Sequence, residues 1–570
     1  MSIRQAIDAY RRGDFSKADT LCKTILETQP DNGAAWELRG LAAWQDGREQ
    51  DAVNFLNSAV QADPDNPSHL FNLGRFLCST GRLADAASCL LRLLKLSPKD
   101  VEAMTLLGNV RLQQGDISTA LETQQKAVAL QPDNASLHNN LGLALIRKKH
   151  LSDAVSAFER AQKLATNKIE IVRNVAVYAE MSNDVSKSKS AVDYGLSKWP
   201  RDATLNLVNA KLLLRTGEPH EAMSITSRFE EFSDVAELDS AFAFEHANAL
   251  ELSGDYVAAF RKYESANQLA VARVTESGFV PSILLNNELI KALLDYYTGN
   301  LPTTHDTEII DDYSDPVFIV GMPRSGTTLL DSVLGSGMNA DVLEEEGTVF
   351  RLLAELNSAG LTYPAELEDM DDTLVRRLRE VYFDAASRII GHIPRQPLID
   401  KMPFNLLHVG LLLRVFPNAR FVRALRHPAN VILSNFKQNY DEPHSVLLFS
   451  DLQSILDLSE KFQRLWDAQT SVITNRAITV RLEDLAADPK QTAEHVFEFL
   501  GAHGALLDEE VRRQHAHEKS ARVTPNYSAI ASPLDASKGS RWQNYSEQLA
   551  PYFVRITALA KEQGYGVEDA

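Results

Sequence analysis

The six residues Pro323–Thr328, PRSGTT, bring together one arginine, one glycine and three hydroxyl side chains, a set suited to holding an anion. A short apolar run, Val317–Val320, leads into Gly321 in front of them, and an apolar helical pattern starts at Leu329. The order is therefore strand, glycine-bearing loop, helix. Gly321 and Gly326 have the spacing of a nucleoside-triphosphate loop. Thr327, however, stands where such a loop has the lysine that reaches the β- and γ-phosphates. Backbone N–H groups around Ser325 to Thr328, the helix N-terminus and two threonine hydroxyls still suffice to cradle one tetrahedral anion, with Arg324 adding charge. The absent lysine argues against triphosphate cleavage, and so against a kinase. It suits a nucleotide whose single phosphate at this end bears a transferable group. Taken alone, the loop also reads as a non-catalytic anion nest.

Further along, Lys401 closes the strand-like run LIDK, Arg426 follows RFVRAL, and Ser434 lies eight positions later on a helical segment. An arginine at the carboxyl end of a strand and a serine two turns along the next helix are able to close on a second phosphate. Two anion sites imply a bisphosphorylated nucleotide.

These residues need a frame. From Val317 on, the runs IVGM, LIDK, RFVRAL and AITVR read as strands, with helices after them near Thr328, Phe404, Ala429 and Lys490. That pattern predicts an α/β domain with a central parallel sheet. The first half follows a different rule. Pro30, Pro64, Pro98, Pro132 and Pro200 keep a 34-residue register, and Gly40, Gly74, Gly108 and Gly142 form a second column in it. Gly13, Gly47, Gly81, Gly115 and Gly217 form a third, and Ala18, Ala52, Ala86, Ala120, Ala154 and Ala222 a fourth. Small residues let paired helices approach, and proline with Asp or Asn starts the next unit. The spacing resembles the tetratricopeptide repeat and predicts about seven or eight copies. The unit near 166–199 is degenerate, with Ser188 in the alanine column, and a shifted copy appears at Gly254 and Ala259.

The expected organisation is an all-α solenoid over 1–275, a helical linker over 276–313, and the P-loop-like α/β domain over 314–570. Such a solenoid holds a peptide, a protein partner or another copy of itself, as in a homodimer, or else only orients the other half. The chain has 570 residues, 44% of them hydrophobic and 24% charged, which fits a soluble multidomain protein. The start of the sequence shows no apolar leader, so a cytoplasmic, non-membrane location is expected. A net charge of −19 disfavours nucleic acid as a partner. Cys22, Cys78 and Cys89 are too few for a disulfide framework or a cysteine metal site, and read as buried small apolar residues.

With these motifs in order, the second half resembles the sulfotransferases that use 3′-phosphoadenosine 5′-phosphosulfate (PAPS). In particular it resembles the bacterial tetratricopeptide-repeat sulfotransferases, whose catalytic half is similar to the tyrosylprotein sulfotransferases. The resemblance implies that Arg324, Ser325, Gly326, Thr327 and Thr328 hold the 5′-phosphosulfate and that Arg426 and Ser434 hold the 3′-phosphate. It places the catalytic base at Glu345, 21 positions beyond Arg324, and the catalytic lysine at Lys401. Without it, the acidic run at Glu344–Glu346 reads as a solvated helix start and Lys401 as a surface partner of Asp400. In the C-terminal segment, Lys538 or Arg541 would reach a nucleotide phosphate, with Trp542 packed beside it. Leu482 replaces a frequent tyrosine, which puts an adenine contact in doubt. His408 and His427 read as structural or capping residues.

The implied reaction is in-line transfer of a sulfuryl group from PAPS to an acceptor hydroxyl, leaving the 3′,5′-bisphosphate PAP. No metal ion is needed, because the sulfuryl group carries less negative charge than a γ-phosphoryl group. The acceptor is a peptide or protein, tyrosine included, or a glycan. The alternative is a non-catalytic interaction protein in which the repeats bind a partner and the α/β domain senses a nucleotide.

Overall fold

The computed structural model describes residues 2–229, 232, 238–280, 287–299, 313–394, 397–473, 475–512 and 536–566. Its described residues divide into two compact units, one ending at Pro200 and the other beginning at Arg201.

The first unit is a succession of antiparallel helix pairs, from Ile3–Arg11 with Phe15–Thr28 to Ile169–Met181 with Val185–Lys198. Each sequence column has a physical task. Asn32, Asn66, Asp100 and Asn134, which follow the register prolines, cap the first helix of their pair by accepting from a backbone N–H of its first turn. The Gly40 column marks close approach: a Cβ on Gly40 would stand 2.6 Å from Leu56 Cγ, and one on Gly142 2.5 Å from Phe158 Cε1. The Gly47 column ends the first helix in the left-handed region, with φ 72° at Gly47. Where that glycine is missing, Lys149 and Asn183 adopt φ 62° and 63° instead. The degenerate unit thus keeps the geometry, and its Ser188, fully buried, donates to the Ala176 carbonyl at 2.7 Å. Cys22 is buried, whereas Cys78 and Cys89 are half-buried.

The second unit begins with further helix pairs of the same kind, Ala203–Thr216 with Pro219–Thr226 and Asp239–Leu252 with Tyr256–Glu276. The last pair shares one hydrophobic core with the α/β elements, from Phe244 and Tyr263 to Phe436 and Tyr545. The helix Asn287–Gly299, expected in a linker, belongs to that core as well: Leu293 is fully buried and Tyr297 Oη accepts from the Gly410 N–H at 2.7 Å.

Five parallel strands make the sheet: β1 (Val317–Gly321), β2 (Val342–Glu344), β3 (Ile399–Lys401), β4 (Arg420–Leu425) and β5 (Ala477–Arg481). Their order is β2-β3-β1-β4-β5. All five residues of β1 are buried, as a central strand covered on both faces requires. The sequence pattern assigns no strand to β2, and the acidic run that it leads into reads there as a solvated helix start. β2 has only three residues, too few to show a two-residue period. Its register, Glu344 beside Lys401, brings the acidic run to the carboxyl edge of the sheet. The strand order reverses around β1, so the crevice for a ligand lies at that edge. No described helix is long and apolar enough to cross a membrane.

Candidate active site

β1 ends at Gly321, and the helix Thr327–Met338 starts after a loop whose shape depends on two glycines. At Gly321, φ is 150° and a Cβ would meet the Ala424 carbonyl oxygen at 2.6 Å. At Gly326, φ is 101° and a Cβ would meet Leu482 Cδ1 at 2.9 Å. Leu482, the residue in place of the expected tyrosine, therefore lies against the loop glycine. Ser325 and Thr327 are buried and Thr328 half-buried. The Ser325 hydroxyl has no hydrogen-bond partner among the described residues. A buried orphan hydroxyl beside a helix N-terminus fits an anion that would complete its bonding. Asn435, fully buried, braces the loop from outside by donating to the Pro323 carbonyl at 3.0 Å, and Tyr440 Oη donates to Asn435 Oδ1 at 2.6 Å.

Arg324 has φ 70° and Glu345 φ 52°, left-handed conformations that cost a side-chain-bearing residue about 1–3 kcal/mol each. Both were site candidates from the sequence. Glu345 follows β2 directly; its N–H donates to the Lys401 carbonyl at 2.8 Å before the chain turns away. Its side chain is half-exposed, while Lys401 is fully buried, and Lys401 Nζ donates to Glu345 Oε1 at 2.7 Å. Asp331, on the helix after the loop and 1% exposed, places Oδ2 3.7 Å from the same ammonium. Burial works against the charge on Lys401, but Glu345, Asp331 and Glu344 outweigh it and hold its pKa above the ordinary lysine value. The surface pair with Asp400 does not form. Asp400 points to the other face, where it accepts from Thr348, Tyr382 and Asn405.

The second cluster lies around the loop's arginine. Arg324 Nε donates to Ser434 Oγ at 3.2 Å, which joins the two expected phosphate motifs. Arg426 leaves the end of β4, and Arg541 is exposed on the 3-10 segment Ala536–Tyr545. Burial depresses the pKa of Arg426, and repulsion from Arg324 and Arg541 adds to this, against attraction from Glu483. Lys437 is depressed mainly by burial too, opposed by Glu251 and reinforced by Arg541 and Arg426. Cations that repel one another across a partly buried site are relieved by an anion bound among them. The side chain of Lys538, the remaining candidate, lies outside the described residues. Trp542 stacks on the His427 ring, centroids 5.4 Å apart, next to Arg426. His408 is structural: it is fully buried against Tyr363 Oη at 3.0 Å, and burial pushes its pKa down to about 4.

Comparison with protein families matches residues 316–503 to the sulfotransferase family and stretches between residues 3 and 168 to tetratricopeptide repeats. Residues 316–503 form a sulfotransferase-family domain. The solenoid joined to it is built of tetratricopeptide repeats. An uncharacterized protein of Aquifex aeolicus is 25% identical over 244 residues, covering 41% of this chain and 31% of that protein. Protein-tyrosine sulfotransferase 1 of Danio rerio is 24% identical over 246 residues, covering 40% of this chain and 65% of the relative. The mouse protein of the same name is 33% identical over 124 residues, 19% of this chain and 30% of its own. The chain thus spans less than two thirds of the length of these relatives.

Within the sulfotransferase domain, Glu345 and Lys401 come together, as do Arg324 and Ser434. Three contributors escaped the sequence reading. Asp331 had a usable signal, a lone carboxylate in the apolar run LLDSVL. Asn435 and Tyr440 had none, since an amide and a phenol near a helix end are common on any surface.

Proposed function

We propose that this chain transfers a sulfuryl group from PAPS to an acceptor hydroxyl. The observation that carries this reading is the 2.7 Å contact between Lys401 and Glu345 beside the anion loop. A proton acceptor and a fixed positive charge then stand side by side at the edge where a 5′-phosphosulfate would bind. Arg324, Ser325, Gly326, Thr327 and Thr328 would hold the phosphosulfate. Arg426, Ser434, Arg541 and Lys538 would hold the 3′-phosphate, with PAPS as co-substrate and PAP as product.

In the reaction, the acceptor oxygen attacks sulfur as Glu345 takes the hydroxyl proton. The bond from sulfur to the bridging oxygen of the 5′-phosphate breaks in line, and Lys401 meets the charge that develops on that oxygen. The half-exposed position of Glu345 leaves it open to an incoming acceptor. A peptide or protein acceptor, tyrosine foremost, is favoured by the names of the relatives and by the repeats, which suit holding an extended segment; a glycan hydroxyl is the next candidate. The same reading has the chain acting in the cytoplasm, without a metal ion.

The test is incubation with sulfur-labelled PAPS and a panel of tyrosyl peptides, glycans and small phenols, alongside calorimetric titration with PAP. Label transfer to a hydroxyl supports the proposal. PAP binding without transfer to any acceptor would favour the nucleotide-sensing alternative, and the absence of both rejects a PAPS site.

A further inference from the structure

The geometry points to Asp331 as a positioning residue that keeps the Lys401 ammonium in place and charged during the step in which Glu345 gains a proton. This inference rests on the sulfuryl-transfer reading above and adds a residue to it.

Lys401 is fully buried, with Glu345 at 2.7 Å and Asp331 at 3.7 Å. A third carboxylate, Glu344, adds negative charge from the paired strand β2. The two close partners differ in access: the Glu345 side chain is half-exposed and Asp331 is 1% exposed. Only Glu345 is open to an acceptor. As the acceptor O–H bond breaks, its proton passes to Glu345, its oxygen bonds to sulfur, and the bridging oxygen leaves with the electron pair. At that point the contact at 2.7 Å no longer carries an ion pair. A buried ammonium that loses its counter-charge is costly and tends to give up its proton. Asp331 remains ionised through the step, because nothing in the reaction delivers a proton to it. Its placement is also specific. Thr327 and Asp331 are four residues apart on one helix, so the face that presents the loop threonine presents this carboxylate. Burying the Asp331 carboxylate is costly, and the ammonium 3.7 Å away offsets that cost.

The experiment compares the full chain with Asp331→Asn and Asp331→Glu, measuring kcat for sulfuryl transfer from PAPS from pH 6 to about 11.5, past the ordinary lysine range, and PAP affinity by calorimetry. Asp331→Asn should move the alkaline limb of kcat down by about 1–3 pH units, the effect of one opposite charge at this range. PAP affinity at the acid end should be kept, and Asp331→Glu should restore the wild-type limb. An alkaline limb that does not move in Asp331→Asn overturns the inference. A second measurement needs no change at Asp331. In Glu345→Gln, which imitates the protonated base, PAP affinity should stay level up to a pH of about 8.5, below the ordinary lysine range near ~10.4. An affinity that falls away between pH 6 and 8 overturns the inference even if Asp331→Asn does not fold. A wild-type chain that transfers sulfuryl while either result goes the wrong way rejects the role of Asp331 alone. A wild-type chain that neither binds PAP nor transfers rejects the role together with the reading beneath it.

Discussion

Asp400 and Lys401 are consecutive on β3 and serve opposite faces of the sheet. The Asp400 carboxylate accepts from Tyr382 Oη at 2.8 Å and Thr348 Oγ1 at 2.9 Å, while the Lys401 ammonium reaches Glu345 at 2.7 Å. The two-residue period of a strand separates them, so one charge braces the core and its neighbour serves the site.

That separation gives the fold a pH signature. Burial pushes the pKa of Asp400 up from 3.8 to about 6, against the hydrogen bonds that favour its ionised form. Its contribution to stability is fully present below about pH 3.8 and is lost as pH rises through about 6, a change of about 3 kcal/mol. His408 works in the other direction. Burial lowers its pKa from 6.5 to about 4, so its contribution is present above pH 6.5 and lost as pH falls through 4. Over this window the two offset each other. Asp400→Asn should therefore become steeply less stable on acidification from pH 6.5 to 4, relative to wild type. Chemical denaturation at four or five pH values across that interval is the check, and parallel curves would contradict it.

Glu345→Gln should lower kcat for sulfuryl transfer by about 10²–10⁴, the range for losing a general base, with PAP affinity nearly unchanged. Lys401→Met should lower kcat and also destabilise the domain, because Asp331 would be left buried beside an uncharged side chain. Steady-state kinetics paired with PAP titration separates the two. A Glu345→Gln chain with wild-type kcat would remove Glu345 from the mechanism.

Gly326→Ala should damage the loop through both φ and contact, since the backbone is at 101° and Leu482 lies 2.9 Å from the new methyl carbon. A cost of about 1–3 kcal/mol is expected, with PAP affinity reduced because Ser325 and Thr327 shift. Adding Leu482→Ala should relieve only the contact, so recovery in thermal melts should be partial.

Glu251 accepts from Lys437 at 2.5 Å, from Tyr545 at 2.8 Å and from Tyr263 at 3.0 Å, and Asn267 donates to the Phe436 carbonyl at 2.9 Å. These bonds tie the helix pair 239–276 to the helix bearing Ser434. Glu251→Ala should cost on the order of 3 kcal/mol by leaving Lys437 among cations without its carboxylate. A chain shortened to begin at residue 276 should be insoluble, whereas one beginning at Arg201 should fold. Soluble yield and cooperative melting of the two fragments decide the point.

The sequence was most informative where a position admits few residues. The repeat columns were legible because close helix contacts, left-handed helix ends and N-caps each select a narrow set, and Lys149 and Asn183 show the backbone holding the register after the glycine is gone. The loop glycines Gly321 and Gly326 were legible for the same reason, since a Cβ at either would collide. The strand β2 was not, because three residues carry no period. The role of Glu251 was hidden as well: its partners Lys437 and Tyr545 lie 186 and 294 positions away, and no local pattern marks a contact made across that distance.

The left-handed backbone at Arg324 and Glu345 sets thermal robustness against turnover. At these two positions glycine would relax the backbone, by roughly 1 kcal/mol or more, and each such change would delete a side chain that the proposed chemistry uses. Selection for heat resistance alone would therefore drift toward Arg324→Gly, whereas at Glu345 the gain is opposed by the buried Lys401 ammonium, which would lose its nearest counter-charge.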